Sequence, residues 1–125
     1  MKCSVTPVKI VTKFTLLISK TPYDKNNAFT GARIALQAKM EDSDATVILM
    51  EDGVYCGLKG QESKQFFRTV EILENFVEMG GKILVCGMCI KERGIDAKDL
   101  IDGCEVIDLA KLVQTMAEAD QTVFF

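Results

Sequence analysis

Not one histidine occurs in the 125 residues, and no other feature of the chain removes as much chemistry. Ser/His/Asp and Cys/His catalysis are excluded, and general acid–base work is left to Asp, Glu, Lys, Tyr or Cys itself. The commonest zinc ligand is missing too. Proline is scarce, and no linker, internal repeat or low-complexity segment divides the sequence. With two prolines, nine glycines and 48% hydrophobic content, residues 1–125 are expected to form a single domain. A domain of this length buries roughly two thirds of its unfolded surface and needs neither disulfide nor metal to hold it.

Clustered cations are also lacking. The formal net charge is −3, which argues against a nucleic-acid partner, since phosphate binding needs a concentrated excess of Lys and Arg. No apolar run approaches the ~20 residues of a membrane helix, so no membrane partner is expected. Residues 1–12 carry Lys2 and Lys9 but neither the apolar stretch nor the small-residue cleavage site of a signal peptide. They read as an N-terminal extension or the lead-in to a strand, and the protein is expected to be cytoplasmic. Five cysteines, an odd number, then read as reduced thiols and not as a disulfide framework. Cysteine is the strongest nucleophile the chain possesses.

What is present is an alternation of short apolar runs with helical patterns. Lys13 to Ser19 is nearly continuous in apolar residues, as a strand buried on both faces would be. From Asn26 to Met40, Phe29, Ala32, Leu36 and Met40 repeat at helical spacing, with Ala28, Ala35 and Ala38 beside them. Ala45 to Met50 reads as a second buried strand closed by the turn Glu51-Asp52-Gly53, and a loop through Tyr55, Cys56 and Gly60 follows. Ser63 to Met79 predicts a helix with Phe66, Val70, Leu73 and Val77 on one face and Phe67, Ile72 and Phe76 alongside, stopped by Gly80-Gly81. Its apolar stripe is wide enough to serve a subunit interface.

Lys82 to Cys86 is a third strand. Ala97 to Ile101 predicts a helical turn capped by Asp96 and closed by Gly103. Cys104 to Ile107 is a fourth strand. Asp108 should cap a helix whose Leu109, Leu112, Val113 and Met116 face the core, and Gln121 to Phe125 supplies a last strand. The order implies an α/β fold, a three-layer α/β/α domain around a mostly parallel five-stranded sheet. Ligands of such sheets bind beyond the carboxyl ends of the strands, where Cys86, Cys56, Tyr23 and Asp52 can share one rim.

The chemistry concentrates in Ile83-Leu84-Val85-Cys86-Gly87-Met88-Cys89, followed by Lys91 and Arg93. If the run is a strand and the next residues open a helix, both thiols fall where unpaired N–H groups and nearby cations favour thiolate. The pair is compatible with sulfane-sulfur transfer, with dithiol redox exchange, with part of a zinc site, or with plain packing. Zinc would need two further ligands, and Cys3, Cys56 and Cys104 do not form a second pair, so neither metal nor cofactor is expected. Cys56 is ambiguous between an exposed loop thiol and a packed one. Cys3 and Cys104 look structural.

The order of these motifs from Lys13 onward resembles the DsrE/DsrF-like family, a group that includes sulfur-relay proteins of the TusD type. The marks are the first strand running into Ser19 to Tyr23, the stretch Val47-Ile48-Leu49-Met50-Glu51-Asp52-Gly53-Val54-Tyr55, the pairing of Ile83-Leu84-Val85-Cys86 with Arg93-Gly94-Ile95, and the segment Ala117 to Phe125. In sulfur-relay members the cysteine ending the third strand accepts sulfane sulfur as a persulfide, and Cys86 matches that position. Cys89 falls where some members have alanine. The resemblance therefore implies a persulfide carrier with Cys86, and less directly Cys89, as catalytic residues. It further implies protein sulfur donors and acceptors as partners and a homo-oligomer, trimer or hexamer. The alternatives are an oligomeric binding or regulatory module with structural cysteines, and a Cys-x-x-Cys dithiol oxidoreductase.

Overall fold

The computed structural model describes residues 12–61 and 68–125. Cys3, Phe66, Phe67 and most of the N-terminal lead-in lie outside the described residues. The elements run β1 (Lys13–Ile18), α1 (Asn27–Met40), β2 (Asp44–Leu49), a 3-10 segment (Glu51–Gly57), α2 (Thr69–Glu78), β3 (Lys82–Cys86) and α3 (Gly87–Glu92). A short 3-10 turn (Ala97–Asp99), β4 (Cys104–Ile107), α4 (Leu109–Glu118) and β5 (Gln121–Phe124) complete them. The five strands form one sheet in the order β4-β3-β2-β1-β5, and every neighbouring pair is parallel. The result is a three-layer α/β fold.

Strand burial follows from that order. The interior strands β1, β2 and β3 are apolar on both faces, whereas the edge strands β4 and β5 are largely exposed. On one face Leu16, Ile18, Val47, Leu49, Ile83 and Val85 pack against α1, α2 and α3 through Ala32, Leu73, Phe76 and Ile90. On the other, Leu17, Ile48, Leu84 and Ile107 pack against Leu112 of α4. The chain thus steps outward from β1 to β4 along one face, and α4 carries it back across the other to set β5 beside β1.

Two helix faces differ from those expected. In α1 the buried line is Ala28, Gly31, Ala32 and Ala35, while Met40 is 56% exposed and Phe29 and Leu36 sit at the margin. Small residues let the helix approach closely: a Cβ at Gly31 would lie 3.0 Å from the Phe125 ring and 3.2 Å from Ile18. In α4 only Leu112 is buried and Met116 is half-buried, whereas Leu109 and Val113 are 72% and 59% exposed. Among the described residues one helix covers that sheet face, and it presents a single row to it. The described part of α2 spends Leu73 and Phe76 on the core. Among the described residues the most exposed large apolar side chains are Leu109 and Val113 on α4, Met88, Phe124 and Met40.

Capping signals are mixed. Asp108 caps α4 by accepting the Lys111 N–H at 2.9 Å, as its sequence position suggested. Asp96 makes no side-chain cap and approaches Lys98 at 3.9 Å instead. The expected loop after β2 is wound into the 3-10 segment Glu51–Gly57, which rests on the end of β1: a Cβ at Gly53 would lie 1.9 Å from the Ile18 carbonyl oxygen.

The two rows of α4 make opposite predictions for stability. Leu112→Ala should cost about 2 to 4 kcal/mol, because it empties a site among four buried aliphatic side chains. Leu109→Ala should stay within about 0.5 kcal/mol. Urea unfolding of the two variants checks this, and equal losses would show that Leu109 is buried in solution.

Candidate functional site

The connection leaving β3 turns into α3 on one face of the sheet, and the connection leaving β4 turns into α4 on the other. Two neighbouring parallel strands whose connections part in this way leave a crevice at their carboxyl ends, the usual binding place in open α/β sheets. Cys86 ends β3 and Ile107 ends β4, and the two are register partners. Between them lies a groove of about 480 Å³ lined by Met50, Cys86, Gly87, Met88, Lys91, Ile107, Asp108, Leu109 and Leu112. The backbone is closely packed at Gly87, where a Cβ would meet Val106 at 3.1 Å and the Ile107 carbonyl oxygen at 3.3 Å.

Cys86 is half-buried and serves as the N-cap of α3, its Sγ accepting the Cys89 N–H at 3.3 Å. A charged sulfur accepts such a bond more strongly than a neutral one. Cys89, one turn on, is 7% exposed and belongs to the core on the α1 side. Its own Sγ accepts the Glu51 N–H at 3.1 Å. Burial raises the Cys89 pKa, and the adjoining Cys86 sulfur adds to the effect; the Glu51 N–H and the Arg93 charge oppose it.

Arg93 ties these parts together. Its Nε and Nη2 each lie 3.0 Å from Asp52 Oδ1, and its Nη1 donates to the Cys89 carbonyl at 3.1 Å. The hydrogen bond that Arg93 donates to the Asp52 carboxylate is the leading reason that the Arg93 pKa is raised. Glu51 adopts φ 52°, the left-handed region, which costs a residue with a side chain about 1 to 2 kcal/mol.

The structure separates residues that the sequence grouped on one rim. Cys86 and Lys91 face the groove, and Asp52 stands beside Cys89 through Arg93. Tyr23 lies in the β1–α1 connection, 38% exposed, and does not line the groove. Cys56 is fully buried in the 3-10 segment, where its Sγ approaches the Lys20 carbonyl oxygen at 3.6 Å, so it is a packed thiol. Sequence reasoning missed Glu51, whose contribution is a backbone N–H aimed by a dihedral angle, and the partnership of Arg93 with Asp52. The groove's apolar wall was also missed, although Met50, Ile107 and Leu112 were visible as strand-end and helix residues. Among the described residues no three Cys, Asp or Glu side chains come together as a metal site would require.

The fold and the strand-end cysteine define a class, an all-parallel α/β domain with a thiol at the crevice between its third and fourth strands. The chain belongs to the DsrE/DsrF-like family, whose pattern matches residues 12–125. An uncharacterised protein of Methanopyrus kandleri is 38% identical over 111 residues, 89% of this chain and 92% of that one. The intracellular sulfur oxidation protein DsrF of Allochromatium vinosum is 27% identical over 136 residues, covering 94% of this chain and 98% of its own. The crystal structure of the YchN protein from Escherichia coli superposes with a TM-score of 0.86 at 28% identity, over 92% of this chain and all of that one. No helix among the described residues is long and apolar enough to cross a membrane.

Burial pushes the Cys56 thiol up to about 12, and burial with the nearby Asp102 charge does the same to Cys104. A group that keeps its proton in the folded chain but loses it in the unfolded chain stabilises the fold only below its unfolded pKa. Stability should therefore fall as pH rises above about 9, by up to ~1.4 kcal/mol per pH unit for Cys56. Urea unfolding between about pH 8 and pH 11 checks this, with Cys56→Ala expected to flatten the slope. An unchanged slope in that variant would assign the alkaline loss to other groups.

Proposed function

We propose that the protein carries sulfane sulfur as a persulfide on Cys86 and passes it to a partner protein, within the cytoplasm. The observation that supports this reading most is the place of the Cys86 sulfur, half-buried on an apolar groove at the β3/β4 crevice with an N–H donor 3.3 Å away. That the A. vinosum relative is an intracellular sulfur oxidation protein agrees with it. In the loading step the Cys86 thiolate attacks the outer sulfur of a donor persulfide. A bond forms between Cys86 Sγ and that sulfur, the donor's S–S bond breaks, and the donor departs as thiolate. The reverse attack by an acceptor thiolate unloads the carrier. Apolar side chains line much of the groove, and Lys91 beside it is a cation near which an anionic persulfide is favoured.

Cys89 supports a second fate. Its thiolate can attack Cys86 Sγ of the persulfide, forming the Cys86–Cys89 disulfide and expelling the outer sulfur as hydrosulfide. The sulfane sulfur is reduced and the two cysteines are oxidised; a cellular thiol then reduces the disulfide at the cost of its own oxidation. In this division of labour Cys86 carries and Cys89 discharges.

Intact mass after incubation with a persulfide donor tests the assignment. Wild-type protein should gain about 32 Da, the mass of one sulfur atom, as thiolate attack on sulfane sulfur requires. Cys86→Ser should abolish the gain, and Cys89→Ser should keep it and lengthen its lifetime. An adduct that survives Cys86→Ser and disappears in Cys89→Ser would reverse the roles, and loss in both variants would favour dithiol exchange.

Assembly belongs to the same reading. Leu109, Val113 and Met88 form exposed apolar surface beside the groove, more than a small domain usually leaves in water. A homo-oligomer, trimer or hexamer, is expected. Light scattering that returned a 13.8 kDa species at micromolar concentration would overturn it.

A further inference from the structure

We propose that Asp52 and Arg93 are positioning residues for Cys89, clamping the turn that begins at Glu51 against α3 so that the Glu51 N–H stays on the Cys89 sulfur. Three observations on two elements converge here. Arg93 contacts Asp52 through two of its nitrogens and the Cys89 carbonyl through the third, so a single guanidinium spans the turn and the helix. Glu51 holds a left-handed backbone conformation that a residue with a Cβ keeps only where its surroundings impose it. The Cys89 sulfur is nearly out of water and receives that same residue's N–H.

Magnitudes favour a geometric role over a stabilising one. The Asp52 side chain is 55% exposed, and an ion pair so open to solvent contributes little to stability. That is little return for holding Glu51 in an unfavourable region. The N–H delivered to a buried sulfur is the better account of the arrangement, because a thiolate at Cys89 has lost most of its water and needs a fixed donor in exchange. The groups that act on Cys89 are the Cys86 sulfur on its own helix, the Glu51 backbone N–H on the turn and the Arg93 guanidinium, while Asp52, Glu92 and Tyr55 act on Arg93. Of these only Arg93 favours the anion through its charge, and the Arg93–Asp52 contact is what holds that charge in place.

The positioning role rests on the reading of Cys89 as the discharging thiol only for its biological meaning; the effect on Cys89 itself is measured without any sulfur loaded. The experiment is the pH profile of Cys89 alkylation by iodoacetamide in the full chain carrying Cys86→Ser, with the modified residue located by peptide mass. Arg93→Gln should move the midpoint up by about one pH unit, making alkylation roughly tenfold slower near neutral pH. Asp52→Asn should move it the same way by less, and Asp52→Glu should restore the wild-type profile. Arg93→Lys keeps the charge but not the planar fork, and should shift with Gln.

Amide hydrogen exchange at Glu51 should speed up in the Arg93→Gln and Asp52→Asn variants, whereas thermal unfolding of the whole chain should change by a few degrees at most. A midpoint that is unmoved or moves down in Arg93→Gln overturns the proposal, as does an Arg93→Lys variant indistinguishable from wild type, which would leave charge alone as the cause. Sulfur loading of Cys86 is read separately, on the wild-type chain. Failure of that loading in wild type would refute the carrier reading and leave the Cys89 result standing.

Discussion

Three strands buried on both faces impose the arrangement of everything else. A parallel sheet cannot be closed by short turns, so each strand must hand the chain to a segment that crosses a face, and both faces must be covered. Here the segments following β1, β2 and β3 all take one face, which leaves the other, among the described residues, to α4. The chain changes sides after β4, and the crevice between the diverging connections of β3 and β4 is where Cys86 ends its strand. The thiol's location is thus a consequence of how the sheet is covered. The half-exposed row on α4 has the same origin, since one helix over a five-stranded face can bury only the residues that point straight down.

Around the two sulfurs the protein uses backbone more than side chains. Cys86 takes the N–H of Cys89, and Cys89 takes the N–H of Glu51. With no histidine in the chain, fixed amide dipoles and the Arg93 charge are the means available to favour a sulfur anion. Amides of this kind are rigid, so they need not reorganise when charge develops on sulfur. The two cysteines nevertheless differ. Cys86 opens on the groove and can meet a partner, whereas Cys89 faces the core and can meet little besides Cys86.

Much of this was legible from residue order. The continuous apolar runs in β1, β2 and β3 are visible because a strand covered on both sides has no polar alternation to blur it, and Asp108 announces α4 because an N-cap needs an acceptor at one fixed position. The pairing of Cys86 with a helix start was legible for the same local reason. Helix faces were less so. The α1 stripe read through Phe29, Leu36 and Met40 because periodicity weighs large residues most, yet close approach to the sheet selected Ala28, Gly31, Ala32 and Ala35.

Local chain chemistry therefore determined the five strands, the Asp108 cap and the cysteine that ends β3, since these depend on neighbours within a turn or two. Tertiary structure decided the rest. It buried Cys56 in a segment that reads as an open loop, exposed Leu109 and Val113 on a helix that reads as fully amphipathic, and brought Asp52 to Arg93 across 41 positions of sequence. It also turned Glu51 into the left-handed conformation that sends its N–H to Cys89. These depend on which surfaces remain uncovered after the sheet is packed, and on backbone angles that no side-chain pattern encodes. The difference is one of range, because periodicity reports what a residue needs and only packing reports what its neighbours leave it.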